Sequence, residues 1–344
     1  MTTLPELILH IGAGKAGSTA IQFALKRNGE VLAGQNAAYL GLMLEQVPGA
    51  QSHDWCVDGQ PKWYFRQPPR ERARVDGEVY AVIRAELDRL AADGVDRAIW
   101  SNEAFLPSHE RIIRIAQRLE RDSVRLRIIC YLRRHDTWAR SFYVQFGLKG
   151  KYYNGPVRTF EEWTAAHPVA FADHVEAWQK AFPGRVELFN VDAVGDAVTH
   201  FATITAIEGL PSLRANESPS NALLTAFVVH NNQYKEEVSP DIMATLIAPM
   251  KILDPRASRL PALEDLLPTT EDLLRLQVTC REDFDRLNAM LAGQGQPALV
   301  FDIPEAQSRS TSQWDMNRMM LQMILSLQRQ VGELKSEIAA IRNG

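Results

Sequence analysis

The stretch Leu7-Ile8-Leu9-His10-Ile11-Gly12-Ala13-Gly14-Lys15-Ala16-Gly17-Ser18-Thr19-Ala20-Ile21-Gln22 decides how the rest of the chain is read. It opens on a short apolar run of the length and type expected of a buried strand. Gly12, Gly14 and Gly17 then fall within six positions, with Lys15 among them and Ser18-Thr19 just after. Beyond them Ala20, Ile21, Ala24 and Leu25 recur at helical spacing. Strand, glycine-rich turn and helix together aim backbone N–H groups and a helix dipole at an anion, usually a phosphate. Glycine lets the backbone approach closely, and Lys15 adds a point charge. The common ATP-binding loop requires GxxxxGK[ST], with lysine directly before the hydroxyl residue. Here Ala16 follows Lys15, and the hydroxyls come three and four positions later. The plain alternative is a tight βα turn with an incidental lysine.

The chain after the loop alternates strand and helix. Asp96–Ser101 reads as a second strand, followed by Asn102-Glu103. A carboxylate just past the carboxyl end of a strand lies where open α/β sheets place their ligands, and a carboxylate in the first turn of a helix is also favoured by the dipole. Val124–Leu132 carries the strongest strand signal and runs into Arg133-Arg134-His135-Asp136. Ser141 follows Arg133 by eight residues on a helical pattern. An arginine fork with a serine hydroxyl makes a clamp for a second phosphate. Arg185–Val191 alternates as a further strand, and the chain is mostly helical from residue 197. The pattern predicts an α/β fold with a central, mainly parallel sheet flanked by helices.

Two long loops, 47–70 and 147–170, are rich in aromatic and basic residues and suit an anionic or sugar ligand. His53, in the first, is the loop residue best able to do proton chemistry. The segment 293–312 is rich in Gly, Pro, Gln and Ser and reads as a linker that holds one short ordered piece. After it Met320, Ile324, Leu327, Val331, Leu334, Ile338 and Ile341 repeat in steps of four and three. Ile and Val at one core position with mostly Leu at the other favour a parallel two-stranded coil, so residues 313–344 are expected to form a C-terminal helix that pairs two chains through 316–342.

Composition bounds the remaining classes. The 344 residues are 46% hydrophobic, ample for a packed core. A net charge of −4 gives no support to a nucleic-acid partner. Cys56, Cys130 and Cys280 are far apart and lack metal-ligand spacing, which predicts reduced thiols and no zinc site. No apolar run is long enough to span a membrane and no signal peptide is visible, so the expectation is a cytoplasmic protein.

Three motifs in order resemble the sulfotransferase superfamily, particularly bacterial enzymes that act on carbohydrates. ILHIGAGKAGSTAIQ is similar to the family's 5′-phosphosulfate loop, whose usual form is close to HIGxxKTGTTxxQ. ICYLRRHDTWARSFYVQ resembles its 3′-phosphate motif, and IWSNEAF its central strand ending in Ser-x-Glu. The resemblance covers the first 150 residues and continues more faintly to about residue 210. The chain departs from the pattern at Ala16 and Ser18, where threonines are common. The Arg-Lys-Gly element that many relatives carry late in the chain is not visible.

The resemblance implies a P-loop-like three-layer domain over residues 1–292. It implies 3′-phosphoadenosine 5′-phosphosulfate (PAPS) as donor, adenosine 3′,5′-bisphosphate as product, and a hydroxyl or amine acceptor, on a carbohydrate, glycolipid or other small molecule. Gly14, Lys15, Ala16, Gly17, Ser18 and Thr19 would cradle the 5′-phosphate, and Arg133 with Ser141 the 3′-phosphate. Lys15 would act on charge developing at the leaving phosphate. Glu103 is the first choice of general base and His53 the second, with no metal required. The competing expectations are a P-loop kinase or nucleotide hydrolase, and a non-catalytic nucleotide- or glycan-binding scaffold.

Overall fold

A computed structural model describes residues 3–56, 62–212, 221–232, 234–239 and 263–301, together with 313, 316–317, 320, 324, 327, 330–331, 334 and 338. The chain divides into two compact units. The first comprises Met1–His135, Ala170–Asn216 and Cys280–Val300, and the second Asp136–Val169, Glu217–Thr279 and Phe301–Gly344. Residues 1–292, expected as one domain, contribute segments to both units.

The first unit holds a five-stranded sheet of β1 (Glu6–Gly12), β2 (Ala37–Gly41), β3 (Arg97–Ser101), β4 (Leu126–Leu132) and β5 (Val186–Asn190). Its order is β2-β3-β1-β4-β5, and every neighbouring pair is parallel. β1 is central, and its residues from Leu7 to Gly12 are all buried. A parallel strand covered on both faces has no solvent side, which is why the sequence shows a continuous apolar run instead of alternation. Three of the five strands were expected at nearly these bounds from their apolar runs, and β5 from its alternation. β2 was not: Ala37-Ala38-Tyr39-Leu40-Gly41 is short and weakly apolar, and only its pairing with β3 makes it an edge strand.

Helices flank the sheet, including Ser18–Arg27, Pro69–Ala92, His109–Arg121, Ala172–Ala181, Ala197–Ile204 and Arg281–Gly293. The chain leaves β1 towards β2 on one side, and leaves β3 and β4 in the opposite direction. The carboxyl ends of β1, β3 and β4 therefore meet at the reversal point where open α/β sheets form a crevice. Among the described residues no helix is long and apolar enough to cross a membrane.

Residues 294–300, at the start of the expected linker, are ordered by bonds to β5. Gln294 accepts from Leu188 N at 2.9 Å and donates to Val186 O at 2.8 Å, Asn190 donates to Ala298 O at 2.8 Å, and Leu299 is buried. The remainder of that linker, 302–312, lies outside the described residues.

The first expected substrate loop is largely tied to the core. Trp55 and Tyr64 are fully buried. Trp55 Nε1 donates to Glu78 at 3.0 Å, and Tyr64 OH to Asp76 at 2.7 Å, both on the helix Pro69–Ala92. Arg111 is bonded to the same Asp76 and to the Tyr64 carbonyl, and lies over the Tyr64 ring. Residues 57–61 of this loop are outside the described residues.

The second unit, taken by itself, contains most of the helix His135–Tyr143, a π-helical turn over Val144–Lys149, and the helix Phe160–Ala166 capped reciprocally by Thr159 and Glu162. Lys151, in the second expected substrate loop, is fully buried. Its Nζ donates to the carbonyls of Glu236 at 2.6 Å, Gly155 at 2.8 Å and Tyr153 at 3.3 Å, while its backbone pairs with Val238. This lysine staples the loop from within instead of facing a ligand.

Candidate functional site

The glycine loop begins where β1 ends. Gly12 and Gly17 have φ of 114° and 88°, and Lys15 itself has φ 64°. A non-glycine residue in the left-handed region costs conformational energy, and such strain collects where the backbone must present particular groups. Left-handed residues on either side of Ala16 belong to the family of turns that point successive N–H groups into one concavity. The helix Ser18–Arg27 starts directly on Gly17, with no side-chain cap and no acidic residue in its first turn. Its positive end is thus presented to the loop without a carboxylate of its own to neutralise it.

Neighbouring elements require the two outer glycines. A Cβ on Gly17 would stand 2.5 Å from the Ala197 Cβ, and one on Gly12 3.1 Å from the Glu103 carbonyl oxygen. The loop therefore packs against both the helix starting at Ala197 and the turn that leaves β3.

Glu103 comes to the loop through that turn. Asn102, buried at the end of β3, accepts at Oδ1 from Ala104 N, and donates through Nδ2 to Leu42 O and through its backbone N–H to His10 O. The Glu103 side chain runs beside Gly14, whose added Cβ would lie 3.6 Å from the Glu103 Cγ. Gln22, on the first helix, donates through Nε2 to Glu103 Oε2 at 2.7 Å. Tyr39 is also near: burial first, then the carboxylates of Glu45 and Glu103, push its phenol well up, so it stays protonated.

Arg133, just beyond β4, donates through Nη1 to the Lys15 carbonyl at 2.7 Å. The β4 exit is held in turn by the late helix Arg281–Gly293. His135 is fully buried, and its Nε2 is 2.6 Å from Asp283 Oδ2. Asp283 also accepts from Phe171 N at 3.0 Å and Ala172 N at 2.8 Å. Burial pushes the Asp283 carboxyl up, but the bonds from His135, Ala172 and Phe171 outweigh it and hold it below the ordinary range. Arg134 adds a bond to the Val300 carbonyl at 3.2 Å.

Each residue expected at the site can now be placed. Gly14, Lys15, Ala16, Gly17, Ser18 and Thr19 form one loop, with Ala16 and Ser18 buried and Thr19 exposed. The Ser18 hydroxyl donates to Ala13 O at 3.0 Å, so it closes the loop, and the first turn offers an anion its backbone N–H groups. Arg133 and Glu103 approach this loop from opposite neighbours of β1. His53 has its contacts elsewhere: it stacks on Trp55 and has Nδ1 3.5 Å from Glu78. Ser141 belongs to the second unit, and its pairing with Arg133 rests on sequence spacing alone. Sequence reasoning missed Gln22, although the residue closes the loop motif, and missed Asp283. Gln22 had a signal in its place one helical turn past Ser18. Asp283 had none, because its partner His135 is 148 residues away.

The arrangement gathers a lysine, an uncapped helix start, the Arg133 guanidinium and a carboxylate held by Gln22 at one loop. It suits a substrate with an anionic group in the loop and a proton-bearing nucleophile beside it. No family model, curated protein or solved structure matches the chain.

Proposed function

We propose that the protein is a sulfotransferase that moves a sulfuryl group from PAPS to a hydroxyl or amine of an acceptor, with a carbohydrate or glycolipid as the favoured class. The observation that carries this reading is the convergence of three separated motifs on one loop: Arg133 bonded to the Lys15 carbonyl, and Glu103 seated against Gly12 and Gly14. A five-stranded parallel sheet with the loop on its central strand supports the P-loop-like part of the reading.

The residues fit such a donor. The loop's glycine conformations, the uncapped start of the helix Ser18–Arg27 and Lys15 favour a doubly charged phosphosulfate end. When bound, PAPS supplies the sulfuryl group and a bisphosphate leaving group. Lys15 offers its ammonium to charge that grows on the leaving oxygens, which matters most in the transition state. Backbone N–H groups at the start of the helix, those of Gly17, Ser18 and Thr19, hold the 5′-phosphate, while the Ala16 N–H donates to Ala13 O at 3.2 Å and shapes the loop from within. Arg133, with Ser141 from the spacing of the motif, serves the 3′-phosphate. Glu103 takes the proton of the acceptor, since it lies at the loop while His53 is engaged with Glu78 and Trp55.

Self-association through the C-terminal heptads belongs to the same proposal. The described positions Met320, Ile324, Val331, Leu334 and Ile338 are helical and roughly half exposed, at 46–55%, so the apolar seam faces outward. A β-branched/Leu seam of this kind is completed by a parallel second copy. Ile341 lies outside the described residues.

Calorimetry with adenosine 3′,5′-bisphosphate tests the donor site. Binding in the absence of magnesium is the expected result; no binding sinks the reading. Binding of ATP–magnesium in its place favours a kinase, and bisphosphate binding without transfer to any of a broad acceptor panel favours a scaffold.

A further inference from the structure

Glu103 has a second determinant besides its place at the end of β3, and it comes from the first helix. The main chain at Glu103 is fixed by Asn102 and by its contact with Gly12, but those contacts leave the torsions of the side chain open. Gln22 closes them. Its Nε2 lies 2.7 Å from Glu103 Oε2, across 81 residues of sequence, and 3.5 Å from the Ser101 carbonyl at the end of the same strand. The amide thus spans from the helix to the end of β3 and grips one carboxylate oxygen. The bond is to Oε2, so Oε1 is the oxygen that Gln22 leaves unengaged.

From this geometry we infer that Gln22 is a positioning residue for Glu103, turning Oε1 towards the acceptor as the atom that receives its proton. The inference rests on the sulfotransferase reading and adds to it the group that aims the base. The identity of the partner matters chemically. A lysine or arginine would orient a carboxylate equally well but would hold it ionised and weaken it as a base. A neutral amide fixes direction without that penalty. Its helix also carries the phosphate-binding turn at its start, so one rigid element sets both the donor's anchor and the direction of the base. The distance from Gln22 to the loop is therefore part of the catalytic geometry, and the position of Gln22 in the loop motif follows from it.

The test compares Gln22→Met with Glu103→Gln and the double variant. Single-turnover transfer of labelled sulfate from PAPS is followed with a hydrolysate of cellular glycans as acceptor, and affinity for adenosine 3′,5′-bisphosphate is measured in parallel. Gln22→Met is expected to slow transfer by about 10- to 100-fold, the scale of a misaligned catalytic group. Its bisphosphate affinity should stay within about twofold of wild type, because the residue acts on the base and not on the donor. In the Glu103→Gln background Gln22→Met should cost nothing further, which a general loss of folding would not reproduce. Gln22→Glu keeps the shape and sets two carboxylates against each other, so it should lose at least as much while melting like wild type. Wild-type transfer by Gln22→Met, or losses that multiply in the double variant, overturns the inference alone. A wild-type protein that binds no bisphosphate overturns the donor reading and this inference with it.

Discussion

Arg133 donates through Nη1 to the carbonyl of Lys15 at 2.7 Å, joining the exit of β4 to the glycine loop across 118 residues of sequence. The bond ties down Lys15, a residue in the left-handed region with φ 64°. A guanidinium used this way holds the shape of the loop and adds positive charge to it. Arg133→Ala should weaken binding of adenosine 3′,5′-bisphosphate by about 1.5–3 kcal/mol, the range for a charged hydrogen bond. Arg133→Lys should recover only part of that, because a point charge lacks the planar fork. Isothermal titration of the three proteins settles the matter; equal affinities would remove Arg133 from the site.

Lys15 is expected to act on turnover more than on binding. Lys15→Ala should raise the barrier to sulfate transfer by about 3–4 kcal/mol, the scale for one preorganised donor at a developing anion. The bisphosphate product should still bind it measurably. Near-normal turnover in Lys15→Ala would place the sulfuryl group somewhere other than this loop.

Gly17 answers to two constraints at once, a φ of 88° and a Cβ position 2.5 Å from the Ala197 Cβ. Gly17→Ala should cost about 2–4 kcal/mol of stability, backbone strain and overpacking together. Adding Ala197→Gly should return only the overpacking share. Urea unfolding of the single and double variants reads both parts, and full recovery would show that the backbone carries no strain.

His10 sets a pH dependence for the fold. It is fully buried on β1, its Nδ1 is 2.7 Å from Ser101 Oγ, and its Nε2 has no hydrogen-bond partner among the described residues. Burial pushes its pKa down from 6.5 to about 3. Between those values the unfolded chain holds a proton that the folded one refuses. The contribution of His10 is therefore complete above pH 6.5 and is lost as pH falls towards 3. His174, lowered by burial and then by His109, and His200, lowered by burial, act in the same direction. Between pH 6.5 and 5 His10 accounts for about 2 kcal/mol. His10→Gln should lose correspondingly less stability over that interval in urea titrations. Parallel pH profiles for variant and wild type would contradict a neutral, buried His10.

Deletion of the residues after Ser310 tests the C-terminal seam. The shortened protein is expected to scatter light as a single chain and the full chain as a pair. An unchanged mass would show that the heptads are not the contact.

The central strands, the glycine loop and the helix after it were legible because each is a local pattern: an apolar run, a cluster of glycines, a period near 3.6. Val124–Leu132 read as a strand without any knowledge of its neighbours, and so did Leu7–Ile11. Lys15, Arg133 and Glu103 were legible as candidates for the same reason, since each directly follows a strand. β2 was not, because five weakly apolar residues become a strand only when β3 supplies the partner. Nor was the packing of residues 294–300 on β5, where a composition typical of linkers is overruled by the bonds of Gln294 and Asn190.

The sequence by itself therefore determined the kind of sheet, the loop on its first strand and the three residues most able to act there. Only the tertiary structure decided which of them meet. It bonded Arg133 to the Lys15 carbonyl, set Glu103 beside Gly14, sent His53 to Glu78, gave the Ser18 hydroxyl to the loop itself, and brought in Gln22 and Asp283. The physical reason is range. Strand and helix preferences are settled within a few residues, whereas a hydrogen bond across 81, 118 or 148 residues exists only after the sheet order has placed its two ends side by side.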